Sequence, residues 1–282
     1  MTVAGVAIVM AAVLALGAVA SGSSKSGKSL ASEGRAYVYL KMRGTYTVAP
    51  VYHHRSWSVF VPETTELWVA RNGSGRQRQI SGVPKFASEE DHRIWEEVGK
   101  PRFLAQGFHA HTGTQTFPAG GFPEGLYWDG LLSEMPADPE AVTEWLRSQA
   151  NAPTNGGGNG FPDSVKILDL LQFLASNPLA TQEQRDALFA ATKEVPGIEQ
   201  MGEASDEVGR RGVGVSAVSA NSGALSRYSM IFDPETSRLL SYEIQRLETL
   251  PGRPEQAVPV LEARTTYLQS ALVFSKRAKP RG

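Results

Sequence analysis

The sequence predicts an α+β fold: an antiparallel sheet with helices packed on one face, behind an N-terminal membrane segment. Three observations predict it. Segments with period-2 alternation begin and end the 282-residue chain, amphipathic helical segments lie between them, and an uncharged apolar stretch precedes both. Neither group of strands has enough apolar faces to be stable alone, so both are expected to share one sheet.

The apolar stretch Thr2–Ala20 carries no charge and has about the 20-residue length that spans a membrane. We predict that residues 1–21 form one transmembrane helix or an uncleaved signal anchor. Ala18-Val19-Ala20 also has the small-x-small pattern of a signal-peptide cleavage site, so cleavage after Ala20 stays open.

The orientation of this segment is a separate question. Its flanking cations, Lys25, Lys28 and Arg35, all lie on the C-terminal side. Taken literally, the positive-inside rule then places the main domain in the cytoplasm, and a basic segment upstream of Met1 would reverse that orientation.

Residues Gly22–Ser29 read GSSKSGKS and match the phosphate-binding pattern G-x-x-x-x-G-K-[ST]. A functional P-loop follows a buried strand and opens a helix at its Lys-Ser pair. Here a stretch of membrane length precedes the match and a strand pattern follows it. We therefore interpret residues 22–32 as a flexible spacer, with nucleotide binding as the less favoured alternative.

The first strand segments are rich in Tyr, Trp, Val and Thr. Trp57, Val59 and Val61 are expected to share one face, whereas His53 and His54 point to opposite faces and are not expected to share an ion. The predicted strand segments are 36–48, 51–61 and 63–81, the last of which turns at Asn72-Gly73, a strong hairpin signal.

The middle of the chain carries helix-start signals. Ser88 begins a capping-box-like sequence whose helix stops near Gly99–Pro101, Asp138 is an N-cap followed by proline, and Thr181 is paired with Gln184. Three further helices are predicted at 138–150, 164–176 and 181–194. Residues 103–130 are expected to form a long loop with little regular structure, and 151–160 a flexible linker.

Strand patterns return from Ile198 onward. A hairpin turn is predicted at Asp206–Gly212, where Arg210 and Arg211 are candidates for contact with an anion or a partner. Further strands are predicted at 211–219, 226–232, 238–248 and 263–275. The main domain is thus expected to cover 33–275, and residues 276–282 are expected to be a solvated basic tail.

Composition and motif content argue against several classes of function. The net charge of −1 argues against nucleic-acid binding, and the absence of cysteine removes thiol catalysis and cysteine zinc sites. The chain has no G-x-S-x-G motif, and its acidic runs Glu89–Asp91 and Glu96–Glu97 are explained by a helix start and a solvated helix face. No cofactor is expected.

The best metal candidate is the pair His109 and His111, because alternate residues on a strand place both imidazoles on one face. A third ligand would have to come from His92, Glu124 or Asp129. This arrangement supports an alternative function, a metal-dependent hydrolase. The competing interpretation is two exposed loop histidines.

Three separated stretches carry a family resemblance: VPETTELWVARNGSGR at 61–76, the Met-Pro-x-Asp-Pro segment 135–139, and the run from 195 to 244 with DEVGRRG and FDP. Together they resemble an uncharacterised actinobacterial family of single-pass membrane proteins, often encoded beside an extracytoplasmic-function sigma factor. The resemblance implies an outer domain similar to the LolA-like lipoprotein-carrier fold, a curved half-barrel with helices on its concave face. It also favours a domain outside the cytoplasm, and it carries over no catalytic residue.

A half-barrel covered by helices can enclose an apolar cavity. Trp145 and Leu171 are the candidates for its helical wall, with Trp57 and Trp68 on the sheet, and a plain core filled by side chains is the alternative. The expected function is a non-enzymatic, membrane-tethered, extracytoplasmic domain that binds a lipid, another apolar ligand or a regulatory protein partner, in envelope sensing or sigma-factor-linked regulation.

Overall fold

The structure, a computed structural model, describes residues 37–102, 107–121, 129–136, 138–152, 160–220, 223–249 and 258–280. The predicted membrane segment and the spacer, residues 1–32, lie outside these ranges. Within them, no helix combines the length and the apolar character that crossing a membrane requires.

The fold consists of twelve strands and five helices in these ranges. The strands are β1 (Tyr37–Val48), β2 (Val51–Tyr52), β3 (Arg55–Ser56), β4 (Val59–Ala70), β5 (Gly75–Ser81), β6 (Lys85–Phe86), β7 (His111–Phe117), β8 (Ile198–Ser205), β9 (Arg211–Ser219), β10 (Ser226–Phe232), β11 (Leu239–Arg246) and β12 (Val260–Val273). The helices are α1 (Glu89–Glu97), α2 (Asp129–Glu134), α3 (Pro139–Asn151), α4 (Asp163–Ser176) and α5 (Gln182–Ala191).

One antiparallel sheet runs through the molecule in the order β7-β5-β4-β1-β12-β11-β10-β9-β8, with β6 added to β4 and β2–β3 as a separate hairpin. Strand β1 joins the two halves of the chain, because Tyr37 lies opposite both Ala70 of β4 and Val273 of β12. The sheet is open, with β7 and β8 at its edges. The predicted α+β class and the single shared sheet are confirmed.

The helices cover one face of this sheet. Helix α4 lies on β9, β10 and β11, and α3 and α5 pack against α4. Helix α5 also contacts the sheet directly, since the rings of Phe189 and Phe232 are 5.0 Å apart. The same face continues across β1 and β4, where Phe173 and Leu179 pack against a second apolar cluster. Its buried members are Val38, Leu40, Leu67 and Val69.

The predicted helix starts are confirmed at their caps. The Ser88 hydroxyl accepts a hydrogen bond from the Asp91 N–H, and Thr181 and Gln184 form a complete capping box. Asp91 also fixes the position of α1, because its carboxylate accepts the Ser58 N–H at 2.6 Å. Local side chain–backbone bonds therefore set where these helices begin.

Three local predictions were wrong. Residues 103–130 are not all loop, since His111–Phe117 forms the edge strand β7, whose pairing with β5 comes from tertiary contact and not from apolar alternation. His53 and His54 lie in the β2–β3 turn with φ of 49° and 62°, a conformation that hairpin turns require and strands do not. The segments predicted as 51–61 and 63–81 are joined at Pro62, because β4 runs unbroken from Val59 to Ala70; the Pro62 carbonyl accepts the Gly82 N–H at 2.7 Å.

The C-terminal residues are not a free solvated tail, which corrects the expectation for 276–282. Ala278 packs against the Tyr39–Trp68 cluster on the sheet face that lacks helices. The Trp68 indole N–H donates to the Ala278 carbonyl at 2.6 Å, and the Lys279 ammonium lies 2.5 Å from a Glu66 oxygen. The basic composition of the tail could not show that Lys279 pairs with the buried Glu66 carboxylate.

Gly75 is required by a close backbone approach where β4 meets β5. A Cβ at this position would lie 2.2 Å from the Trp68 carbonyl oxygen. We expect Gly75→Ala to lower the free energy of unfolding by about 1–3 kcal/mol, because the backbone must move to relieve the overlap. Gly113→Ala in β7 is the matched control, since its nearest neighbour is 3.8 Å away. Equal urea midpoints for the two variants would contradict the expectation.

Candidate functional site

The four predicted cavity residues do not come together at one site. Leu171 is fully buried in the core between α4 and the sheet, and Trp145 packs at the border of the same core. Trp68 belongs to a cluster with Tyr39 on the opposite face. Trp57 is buried just before β4 and belongs to neither group. Strand alternation explains the separation, because Trp68 lies between Leu67 and Val69, which face the helices.

Side chains fill the space where the ligand cavity was expected. Leu168, Leu171, Met230 and Phe232 are all fully buried there. Two pockets of about 200 Å³ and 90 Å³ lie elsewhere. The larger is beside Trp95 and Phe108, and the smaller lies among the end of α4, Arg210 and β12. The described residues thus form a filled core at the predicted site, the alternative that the sequence left open.

The two candidate metal ligands are exposed and lie in different local structures. His111 opens β7, whereas His109 lies in the bend before it. His92 stacks on Phe86 with ring centres 4.7 Å apart, and Glu124 and the Asp129 side chain fall outside what the structure describes. Over the described ranges, no group of three His, Asp or Glu side chains could hold a metal ion. The metal-dependent hydrolase stays a prediction.

Arg210 has a structural partner inside its own turn. The Asp206 carboxylate is buried and accepts the backbone N–H groups of Val208 and Arg210 at 3.0 and 2.9 Å. The Arg210 Nε donates to the same carboxylate at 2.7 Å, and its Nη2 donates to the Leu240 backbone carbonyl at 3.2 Å. The hairpin turn is confirmed, and the Asp206 carboxylate binds Arg210 through both its Nε and one terminal nitrogen.

A polar group inside the helix-covered face was not predicted as a site. Asp169 of α4 accepts a hydrogen bond from the Tyr242 hydroxyl at 2.5 Å. Burial raises the pKa of Asp169 to about 6, although the Tyr242 bond acts in the opposite direction. Burial and the nearby Asp169 charge raise the pKa of Tyr228 to about 12. The only sequence signal was an aspartate within the apolar stripe of α4.

The β8–β9 hairpin (Ile198–Ser219) exposes apolar side chains at the open edge of the sheet. Met201, Val208 and Val218 are 48%, 40% and 37% exposed. A Cβ at Gly214 would lie 3.1 Å from Met201 Cβ, so Met201 lies across that glycine. Val218 shares the strand parity of Gly214, whereas Val215 and Ala217 face the core. Met201 and Val218 therefore both lie on the helix-free face, at different points along the hairpin.

The backbone of β8 is also irregular. Its register with β9 shifts between Gln200 and Gly202, and Gly202 has φ of 76°. Glu199 and Glu203 on either side of this bulge are exposed. Bulges and charges of this kind restrict indiscriminate pairing at sheet edges.

Comparisons of this chain with protein-family models, with curated proteins and with solved structures find no match.

Proposed function

We propose that the chain is a non-enzymatic binding domain, held outside the cytoplasmic membrane by residues 2–20, that docks a protein partner on the β8–β9 hairpin. The observation that carries the proposal is the exposure of Met201, Val208 and Val218 on one hairpin at an open sheet edge. Exposed apolar side chains along an unpaired edge are typical of surfaces that another chain covers.

The partner is an extended segment that adds to β8. The side of β8 away from β9 offers main-chain donors and acceptors, which give affinity, while side chains select the partner. An apolar residue of the segment covers Met201, and basic residues pair with Glu199 and Glu203. The bulge at Met201 limits which segments fit, so the edge favours a particular register.

A protein partner is favoured over a lipid in the interior because Leu168, Leu171 and Phe232 already fill the space under α4. An apolar ligand would have to displace that helix. The order of elements and the helices on one face of an open sheet support a LolA-like half-barrel. The role in envelope sensing linked to a sigma factor rests on the family resemblance.

The absence of cysteine permits a direct test. Met201→Cys and the control Val83→Cys, at a 52% exposed valine between β5 and β6, each introduce a single thiol. Intact cells are treated with a membrane-impermeant maleimide that carries a benzophenone, then irradiated. We expect both thiols to be labelled without lysis, and only position 201 to give a discrete cross-linked protein band.

The two readouts fail separately. Labelling of both positions only after lysis would overturn the location outside the membrane. Labelling in intact cells with no band at position 201, or with the same band at position 83, would overturn the hairpin as the partner surface. Retention of the labelled chain in the membrane fraction at its uncleaved mass checks the anchor.

A further inference from the structure

A buried carboxylate lies on the helix-free face, far along the sheet from the β8–β9 hairpin. The Glu66 side chain on β4 is only 3% exposed. The Tyr39 hydroxyl donates to one of its oxygens at 3.1 Å, and Arg78 Nη1 donates to the other at 3.1 Å. Burial alone would raise the pKa of Glu66, but hydrogen bonds from Lys279, Arg78 and Tyr39 outweigh it and lower that pKa. The carboxylate is therefore ionised at neutral pH.

The strands build this site without help from the C-terminal tail. Tyr39, Glu66 and Arg78 lie on adjacent strands, and the Tyr39 and Trp68 rings contact each other at 5.1 Å. The Arg76 guanidinium lies over the Trp68 ring at 5.1 Å, which fixes the indole from the side. We call the surface formed by Tyr39, Glu66, Trp68 and Arg78 the carboxylate groove.

The tail occupies the groove through two polar contacts to adjacent residues. The Trp68 indole N–H donates a hydrogen bond to the carbonyl of Ala278, and the Glu66 carboxylate forms an ion pair with the ammonium of Lys279. The small Ala278 side chain packs against the aromatic pair. The carbonyl of one residue and the ammonium of the next are features that any peptide with a small residue before lysine carries.

The contact between the tail and the groove can be displaced. The Lys279 side chain remains 54% exposed, so it can leave the groove without crossing a packed core. Once it leaves, Glu66 keeps the hydrogen bonds from Tyr39 and Arg78 and presents a negative charge beside the Trp68 indole, whose N–H has lost its acceptor. A buried charge that loses one partner favours any replacement cation of suitable geometry.

We propose that the carboxylate groove recognises a lysine-bearing segment of a partner protein, and that the C-terminal tail occupies it in cis as a competitor. The recognised unit is a small residue followed by lysine in an extended chain. This surface does not depend on the β8–β9 hairpin, since six strand-to-strand steps separate β4 from β8.

The test uses the full chain in nanodiscs and a fluorescent synthetic peptide with the sequence of residues 275–282, followed by anisotropy. Lys279→Ala frees the groove, and we expect it to bind the peptide saturably and at least tenfold more tightly than the wild-type chain. Lys276→Ala, a tail lysine outside the groove, is the matched control and should behave like wild type. A peptide with alanine in place of the lysine at 279 should not bind.

Two double variants locate the binding. Lys279→Ala with Glu66→Gln should weaken peptide binding at least tenfold. Lys279→Ala with Trp68→Phe should weaken it about threefold. Thermal melts confirm that both double variants are folded. The proposal is overturned if folded Lys279→Ala shows no saturable binding, which would leave the tail as a structural strap only. Equal binding by the Glu66→Gln double variant would overturn it as well, since the attraction would then be non-specific.

Discussion

Replacing Leu171 by alanine is expected to lower the free energy of unfolding by about 2–5 kcal/mol, because the side chain is fully buried in a filled core. Leu171→Asp should cost more, since it places a carboxylate without a partner among Leu168, Met230 and Phe232. Against a total stability of about 5–15 kcal/mol for a typical domain, that change is expected to unfold most of the protein. Urea denaturation followed by circular dichroism measures both effects.

The stability of the Leu171→Ala variant also distinguishes a filled core from an open cavity around this side chain. A leucine that lines an open, ligand-ready space loses few contacts when it is shortened, whereas one in a filled core leaves a void. Gln172→Ala, the next residue on α4 and only partly buried, is the matched control and should change stability by less than about 0.5 kcal/mol. A cost below about 1 kcal/mol for Leu171→Ala would contradict the filled core.

Much of the fold could be predicted because local signals and tertiary structure agree. Ser88, Asp138 and Thr181 each cap a helix at the predicted place. The Asn72-Gly73 turn joins β4 to β5 as expected, with Gly73 at φ of 72°. The shared sheet followed from a physical requirement, that neither group of strands could bury its apolar faces alone.

Predictions failed where pairing and not periodicity decides the structure. Strand β7 reads HTGTQTF, which has no apolar alternation, and it forms because β5 offers an unpaired edge. The predicted cavity residues lie apart for a related reason. Trp57 and Trp68 were placed on the sheet wall of the cavity opposite Trp145, although the strand parity that puts Leu67 and Val69 on one face already directs Trp68 to the other.

The surfaces that support binding have weak sequence signals. Glu66 is one of two glutamates in β4, and only the register of β1, β4 and β5 brings Tyr39 and Arg78 beside it. Met201 stands out in β8 as an apolar residue among glutamates, but its exposure follows from the position of β8 at the edge of the sheet. Long-range strand order, which the sequence does not display, determines both surfaces.

The wild type is expected to lose about 3 kcal/mol of stability as Asp169 ionises, because the pKa of this group is about two units higher in the folded than in the unfolded chain. Replacing Asp169 by asparagine should abolish that loss. The pKa of Asp169 is raised from 3.8 to about 6 by burial, against the opposing bond from Tyr242. The folded protein therefore holds this proton more tightly than the unfolded chain. The resulting stability is complete below about pH 4 and is lost as the pH rises through about 6.

Urea denaturation of both proteins at intervals from about pH 4 to about pH 7 isolates this effect, because the difference between them cancels the titration of shared groups such as Glu66. Tyr228 and Glu262 face the same interior and remain in both proteins. Asp163→Asn is the control, since its side chain at the start of α4 is 44% exposed and solvent screens its charge. We expect the wild type to lose stability relative to Asp169→Asn across this range, while Asp163→Asn follows the wild type. A difference that does not change with pH would show that the Asp169 carboxylate is solvated and that α4 docks on the sheet without burying a charge.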